Sequence, residues 1–329
     1  MSPQNDLQTL DRIFPQDPNF SGIAYQAHEN VPILIPWTRK VIVLGTGFES
    51  SVASDPNDFA LRPTALEKTT YRVEPTESTS SFRQNSSTKV ASSYEHMDFK
   101  GSLSAGGSVL GVSAQAAFAK NVYGNRDSKK VSLQASLRIG RIIPNTSYHL
   151  STDALALLRA SPTEFHRTYG DYFLGGFVLG ADTATFLSTS SSRDLKAEMK
   201  QIQVQAKFFG MKKTVYDKRT SSQSDSSNYD ITFNGFDSLD GVGYNAKAAD
   251  ERSYMEIQEK ATKNVSGGIN LDKRVKDILK GLGLGTAMED VVQVTEEQCR
   301  AVCKSGLVVE LMFLPYAGLK DYIASTFEY

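Results

Sequence analysis

The segment 194–209 satisfies the spacing of two different secondary structures at once. Its apolar residues recur with the period of an amphipathic helix at Leu195, Met199, Ile202, Ala206 and Phe209. In its second half, apolar residues alternate with polar ones as in a half-buried strand, at Ile202, Val204, Ala206 and Phe208. The apolar set moves from odd to even positions near Lys200, so an extended form needs a β-bulge or a hairpin boundary there. A sequence that satisfies both periods is unusual, and the pattern alone leaves helix and strand both open.

The rest of the chain predicts strands with a few helices between them. The clearest strand is 130–141, where apolar and polar residues alternate without a break. Further strands are predicted at 40–48, 173–187, 228–241 and 305–316. Helices are predicted at 151–159, 161–170, 271–282 and 295–306, with Ser161 and Thr295 as N-caps. Half of residues 74–93 are serine or threonine, which predicts a solvated loop.

Composition argues against several classes of protein. The 36 lysines and arginines against 37 aspartates and glutamates give a net charge of −1, whereas a nucleic-acid binder normally has a basic excess. No stretch reaches the roughly 20 apolar residues of a transmembrane helix. The first 16 residues lack the basic start and apolar run of a signal peptide. We therefore expect a protein made in soluble form, which is cytoplasmic or unconventionally secreted and reaches a target membrane only later.

The candidate enzyme motifs are incomplete. Gly45 and Gly47 follow a predicted strand, but Ser50 stands where a dinucleotide loop needs its third glycine. Cys299 and Cys303 lie four residues apart without a second cysteine or histidine cluster, which is typical of buried free thiols. The four histidines belong to no metal or nucleophile motif. The sequence predicts no catalytic residues, no metal, no cofactor and no enzyme activity.

One segment resembles the signature of the membrane attack complex/perforin (MACPF) family. That signature is an aromatic residue, Gly, Thr or Ser, His, an aromatic residue, six residues and then Gly-Gly. Tyr169, Gly170, Phe173 and Gly180 match it at the right spacing, whereas Asp171, Tyr172 and Ala181 depart from it. The segments 43–48, 229–235 and 307–323 resemble other family landmarks and follow in the family's order. The departures suggest a divergent, fungal-type branch.

The resemblance implies an α+β fold with a bent, twisted four-stranded antiparallel sheet. Two helical clusters, about 100–130 and about 194–228, would flank the sheet and refold into β-hairpins of a pore. The candidate membrane-inserting residues are Leu103, Val109, Val112, Phe118, Leu195, Met199, Ile202, Val204 and Phe208. The signature and hinge residues are Tyr169, Gly170, Phe173, Gly175, Gly176, Gly180, Ala181 and Gly235. In a bilayer every backbone polar group must be paired, so strands can cross only as a closed barrel.

The expected layout is an N-terminal arm, 1–40, followed by a MACPF-like domain, 41–329. We expect residues 251–280 to cover a strand edge in the monomer, since an open edge invites pairing with other chains. We expect no separate C-terminal membrane-recognition domain, so that targeting comes from the arm, from a separate lipid-binding partner protein, or not at all.

The expected function is that of a soluble monomer that forms a ring-shaped homo-oligomer on membrane lipid and inserts a β-barrel, as a toxin or in defence. The alternative is a non-lytic interaction module on the same fold, which works at a membrane periphery with a partner. Neither reading involves nucleic acid.

Overall fold

The structure is a computed structural model that describes residues 26–37, 42–51, 59–62, 70–87, 114–207, 229–284 and 290–326. Leu103, Val109, Val112 and Phe208 lie outside these ranges. The arm predicted at 1–40 is described only in part, and its boundary stays a prediction. Residues 33–36 of that arm form a strand that pairs with 310–313.

One antiparallel sheet contains the nine strands of the described residues. Their bounds are β1 Ile33–Pro36, β2 Gly47–Phe48, β3 Tyr71–Ser87, β4 Lys129–Pro144, β5 Tyr172–Thr189, β6 Ile231–Asp237, β7 Val242–Ala248, β8 Val292–Val294 and β9 Val308–Pro315. The main order is β1-β9-β5-β4-β3-β8, while β2 also pairs with β5 and β6 pairs with both β5 and β7. The predicted α+β class agrees with this mixture of helices and antiparallel strands.

The prediction of a four-stranded sheet is not confirmed, because the sheet has nine described strands. The strands β3, β4, β5 and β6 are consecutive antiparallel neighbours within it. The additional strands come mainly from the two ends of the chain. β5 accommodates them because it pairs with β9 over residues 172–179 and with β6 over residues 183–188.

Two local predictions are wrong. The serine-rich region predicted as a loop from residue 74 is strand β3 up to Ser87, because it pairs with β4 almost throughout its length. Residues 40 and 41 of the strand predicted at 40–48 lie outside the described residues; of the others, residues 44 and 45 form a turn and Gly47–Phe48 form β2. Gly45 has a φ of 86°, and Thr46 Oγ1 donates to the Val43 carbonyl at 2.6 Å, which closes that turn.

Register shifts occur in three neighbouring strands of the sheet. They fall between Pro75 and Thr79 in β3 and between Arg138 and Gly140 in β4. In β5 they fall between Leu174 and Gly176 and between Val178 and Leu179. A β-bulge bends its own strand and increases the local twist, and we call the part of the sheet that contains these shifts the bend.

Eight α-helices whose bounds lie within the described residues surround the sheet, and a 3-10 helix at Tyr316–Gly318 precedes the last of them. They are α1 Ala114–Gly124, α2 Thr152–Ala160, α3 Pro162–Tyr169, α4 Leu195–Lys207, α5 Glu251–Ile269, α6 Leu271–Gly281, α7 Glu296–Ser305 and α8 Lys320–Thr326. The predicted N-caps are confirmed: Ser161 accepts from the Glu164 amide, and Thr295 forms a reciprocal capping box with Gln298.

The core lies between the sheet and the helices α4, α5 and α6. Leu271, Val275 and Leu279 of α6 pack with Leu137 and Ala181 of the central strands. Residues 251–280 form two helices that pack against the sheet, and their role as the cover of a strand edge stays a prediction. A second group of buried side chains, around Phe165, Phe173 and Tyr316, packs α2 and α3 against the start of β5.

Candidate functional site

The two predicted refolding segments leave the sheet at the same end. In register, Ser87 of β3 lies opposite Lys130 of β4, Lys130 lies opposite Ser188 of β5, and Ser188 lies opposite Thr232 of β6. The ends of β3 and β5 and the starts of β4 and β6 therefore form one row across the sheet. The connections 88–128 and 190–230 both begin and end at this row, and each is 41 residues long. Helix α1 belongs to the first connection and α4 to the second.

Helix α4 is held between the sheet and α5. Its buried apolar residues are Leu195, Met199, Ile202 and Ala206. They pack on Val131, Leu133, Leu187, Ile231 and Phe233 of the sheet and on Ile257, Ala261 and Val265 of α5. Within the described part of 194–209, the structure follows the helical pattern over Leu195–Lys207, while residues 208 and 209 lie outside the described residues. Val204 differs from the other candidates because 51% of it is exposed.

A buried polar cluster also fastens α4 to α5. The Tyr254 hydroxyl and the Gln258 side-chain amide, both on α5, donate to Glu198 Oε1 of α4. Arg193 Nε lies 3.6 Å from Glu198 Oε2, and its guanidinium carbon lies 4.4 Å from the centre of the Tyr254 ring. Burial, together with the Glu198 charge, raises the pKa of Tyr254, so its hydroxyl stays protonated and donates. Movement of α4 away from α5 must break this cluster.

A second polar cluster joins the two connections where they meet the strand ends. Asp127 accepts hydrogen bonds from Ser188 Oγ at 2.5 Å, from Ser190 Oγ at 2.9 Å and from Asn125 Nδ2 at 3.1 Å. Burial opposes ionisation of Asp127, but these hydrogen bonds and the Lys247 charge lower its pKa. Because 125–127 end the first connection and Ser190 begins the second, the cluster couples the two segments.

Helix α1 lies on the outer part of the sheet and contacts β6 and β7. Phe118 is 2% exposed, and its ring meets the Phe236 ring edge-on at a centroid distance of 5.4 Å. Phe118 is the one candidate inserting residue of the first segment that lies within the described residues.

The start of the signature fixes the turn into β5. Gly170 follows α3 with a φ of 82°, and a Cβ there would lie 2.3 Å from the Phe48 carbonyl oxygen. Asp171 binds Ser50 twice, accepting from its amide at 2.8 Å and from its hydroxyl at 2.5 Å. Tyr169 and Phe173 are buried in the same cluster of side chains as Phe165 and Tyr316. The departure at Asp171 is therefore used as a hydrogen-bond acceptor.

The hinge candidates of β5 lie along the bend. A Cβ at Gly180 would lie 2.0 Å from the Leu137 carbonyl oxygen, and one at Gly176 would lie 2.7 Å from the Ile142 carbonyl oxygen. Gly175 is the residue skipped at the register shift, and the Leu314 side chain closes over it. These glycines allow β4, β5 and β9 to approach closely where the sheet bends. Ala181 is buried in the core. Gly235, on β6, lies opposite Thr185 of β5.

A charged group next to Gly180 spans three strands at the bend. The Arg138 guanidinium donates to both oxygens of Asp182 at 2.7 and 2.9 Å and to Glu310 Oε1 at 2.9 Å. Ser136 Oγ adds a 2.6 Å bond to Asp182. Both carboxylate side chains are 1% exposed. Desolvation raises the pKa of Glu310, although the nearby Arg138 charge opposes this shift. Arg138 is thus one cation bound to two carboxyl groups.

Sequence reasoning missed Asp127, Arg138, Asp182, Glu198 and Glu310. For two of them a signal was present, since Asp182 and Glu310 are single acidic residues within the apolar runs 173–187 and 305–316. A charge that is buried this way needs partners, which the sequence does not identify.

The described residues were also compared with the requirements of a metal site and of a membrane-spanning helix. They include no group of three histidine, cysteine, aspartate or glutamate side chains suited to a metal ion. Their helices are all too short or too polar to span a membrane. Cys299 and Cys303 lie half-buried on α7, and burial raises the pKa of both thiols.

Comparison with solved structures gives weak similarities. No protein-family model and no curated protein matches the chain. GNIP1Aa of Chromobacterium piscinae is 11% identical with a TM-score of 0.28, over 78% of this chain and 58% of that one. A MAC/perforin-domain protein of Bacteroides thetaiotaomicron, assigned to cell invasion, is 13% identical with a TM-score of 0.23, over 76% and 64%. Stonustoxin is 8% identical with a TM-score of 0.25, over 77% and 37%.

The chain spans less than two thirds of the length of each of these three proteins. Every TM-score is below 0.5, so these similarities do not support a functional assignment. The function proposed below is argued from the arrangement of the strands and their connections.

Proposed function

We propose that this protein forms pores in membranes by converting the connections 88–128 and 190–230 into β-hairpins. The observation that carries the proposal is the common row of strand ends, from which both connections leave between strands already paired in antiparallel register. Continuing the same ladders past this row turns each connection into a hairpin without re-pairing the existing strands.

The lengths of the connections support this conversion. A tilted membrane-spanning strand needs about 9–11 residues, and a 41-residue connection supplies up to about 20 for each of two strands. Because both connections leave from the same row, the two hairpins would lie side by side, and one copy of the chain would contribute four neighbouring strands to a barrel. The barrel must be completed by further copies, because a lipid-exposed sheet edge leaves backbone groups unpaired.

The apolar residues of α4 support a membrane role for the second hairpin. Met199 and Ile202 are buried against the sheet and α5 in the resting form. In an extended hairpin the even-numbered residues 202–208 form one apolar face, and the glutamines between them face the water-filled interior. Ile202 and Ala206 would thus exchange a protein surface for lipid, whereas Met199, at an odd position, would do so only across the β-bulge or hairpin boundary near Lys200.

Strand β3 offers the edge for a ring of copies. Within the described residues, β8 pairs with β3 only at residues 71–73, and no described strand lies beside the remainder of β3 on the side opposite β4. Unpaired strand edges are templates for pairing with another chain. We infer a homo-oligomer in which this edge receives a neighbouring copy.

The test of this function is dye release from liposomes of several lipid compositions, with negative-stain images of the same samples. Release together with ring-shaped particles supports pore formation. Membrane binding without release or rings favours the non-lytic interaction module, and addition of a lipid-binding partner then tests a two-component system. If release occurs without oligomers, the proposed barrel is wrong.

A further inference from the structure

A surface cavity at the bend combines a positive rim with an apolar floor. Its volume is about 300 Å³, at the lower end of the range for small-molecule sites. It lies between the start of β3, the end of β4 with the loop that follows, and β9. Its lining residues include Arg72, Arg141, Ile143, Tyr148, Met312 and Leu314.

The rim holds two arginines against one carboxylate. Arg72 bonds Glu74 Oε1 through Nε at 2.8 Å and Nη2 at 2.7 Å. Arg141, which lies opposite Glu74 in register, bonds Oε2 through Nε at 2.9 Å and Nη2 at 2.8 Å. Burial opposes ionisation of Glu74, but the hydrogen bonds and charges of both arginines lower its pKa, so the group carries one net positive charge. The Nη1 groups take no part in these four contacts.

The floor is apolar and rests on the hinge glycines. A Cβ at Gly176 would lie 2.9 Å from both Ile143 Cγ2 and Met312 Cε, so these two side chains close over it. The Tyr148 hydroxyl donates to the Gly175 carbonyl. An occupant of the cavity would therefore touch β4 and β9 on either side of the glycines of β5.

We propose that this cavity binds a singly charged anionic amphiphile, namely a carboxylate or phosphodiester that carries an apolar chain. The single excess charge matches a monoanion, and guanidinium groups recognise such oxygens with charge-assisted hydrogen bonds. Met312, Leu314 and Ile143 receive the first part of the chain. A free fatty acid and an anionic phospholipid share this chemistry. The site does not depend on pore formation.

The experiment is isothermal titration of the intact protein with octanoate, with monomeric dihexanoyl phosphatidylglycerol and with octanol. We expect the two anions to bind, octanol to bind at least tenfold more weakly, and bound anion to raise the melting temperature. A preference between the two anions identifies which source of the head group the cavity fits.

Substitutions of opposite sign test the charge at the rim. Arg141→Gln should weaken octanoate binding about tenfold or more, because it removes a charged donor. Glu74→Gln should strengthen binding, because it raises the net charge of the rim and releases both guanidiniums. Arg252→Gln, at an exposed arginine on α5, is the control and should change nothing.

The proposal is overturned if neither anion binds at about 1 mM, or if octanol binds as well as octanoate. Equal affinities in the Arg141 and Glu74 variants also overturn it, provided that circular dichroism shows both variants folded.

Discussion

Arg138 and Asp182 form a two-bond ion pair between β4 and β5, directly beside the position where the Gly180 backbone meets Leu137. Glu310 joins the pair from β9. The close approach of the Gly180 and Leu137 backbones and the buried charges therefore lie in the same part of the bend. The ion pairs link all three strands there.

Gly180→Ala should destabilise the protein by about 1–3 kcal/mol, because the added Cβ would lie 2.0 Å from a backbone oxygen that only strand movement can displace. Urea denaturation measures the change. Gly281→Ala is the matched control, since nothing lies within 4 Å of a Cβ there, and it should be neutral or slightly stabilising. Equal effects at both positions would contradict the close approach.

Glu310→Gln should change how stability depends on pH. Desolvation raises the pKa of folded Glu310, so the folded state keeps its proton to a higher pH than the unfolded chain, whose pKa is about 4.3. This contribution to wild-type stability is complete below the unfolded pKa and is lost as the pH rises through the folded pKa. Glutamine has no such proton.

Denaturation curves between pH 4 and pH 7 measure this effect. The stability of Glu310→Gln relative to wild type should increase with pH. Glu297→Gln, at an exposed position on α7, should show no comparable trend. A constant difference across the range would mean that the Glu310 pKa is not raised.

Glu198→Ala should loosen α4 from α5. The substitution removes the acceptor of Tyr254 and Gln258, and a lost hydrogen bond to a charged group costs about 1.5–3 kcal/mol. Hydrogen exchange should become faster in 195–207 before it changes in the central strands. Lys200→Ala, on the exposed side of the same helix, serves as the control. If exchange in α4 is unchanged, the cluster does not hold the helix.

Val204→Arg should have little effect on the folded protein but should disfavour the membrane-inserted form. Val204 is 51% exposed, so the arginine should change the free energy of unfolding by less than about 0.5 kcal/mol. In a barrel it would face lipid, at a cost of up to about 2–4 kcal/mol per copy near the bilayer centre. Dye release should therefore fall strongly, while Gln201→Arg on the opposite strand face retains it. Equal release by both variants would refute the proposed face.

The sequence predicted those elements whose signals are local. Thr295 with Gln298 predicted the start of α7, whereas Leu195, Met199 and Ile202 supplied one of two competing patterns, of which α4 follows the helical one. Strand β3 was not predicted, because its serine-rich segment has little apolar content of its own. It is a strand because it pairs with β4, and such tertiary pairing overrides local preference.

The charged group at the bend lies beyond sequence reasoning for a different reason. Arg138 and Glu310 are 172 residues apart, so only the fold shows that they meet. The apolar surroundings of Asp182 and Glu310 were visible in the sequence, whereas the identity of their shared partner was not.

The proposed pore can form only if α4 leaves the sheet. Gln203 of α4 and Gln84 of β3 are joined by a 3.0 Å hydrogen bond between their side chains. With Cys299 and Cys303 replaced by alanine, a reducible bismaleimide can link cysteines introduced by Gln84→Cys and Gln203→Cys. The most direct measurement is dye release by this cross-linked protein before and after reduction. We predict no release while the link is intact and full release once it is cleaved. Equal release in both states would contradict the account.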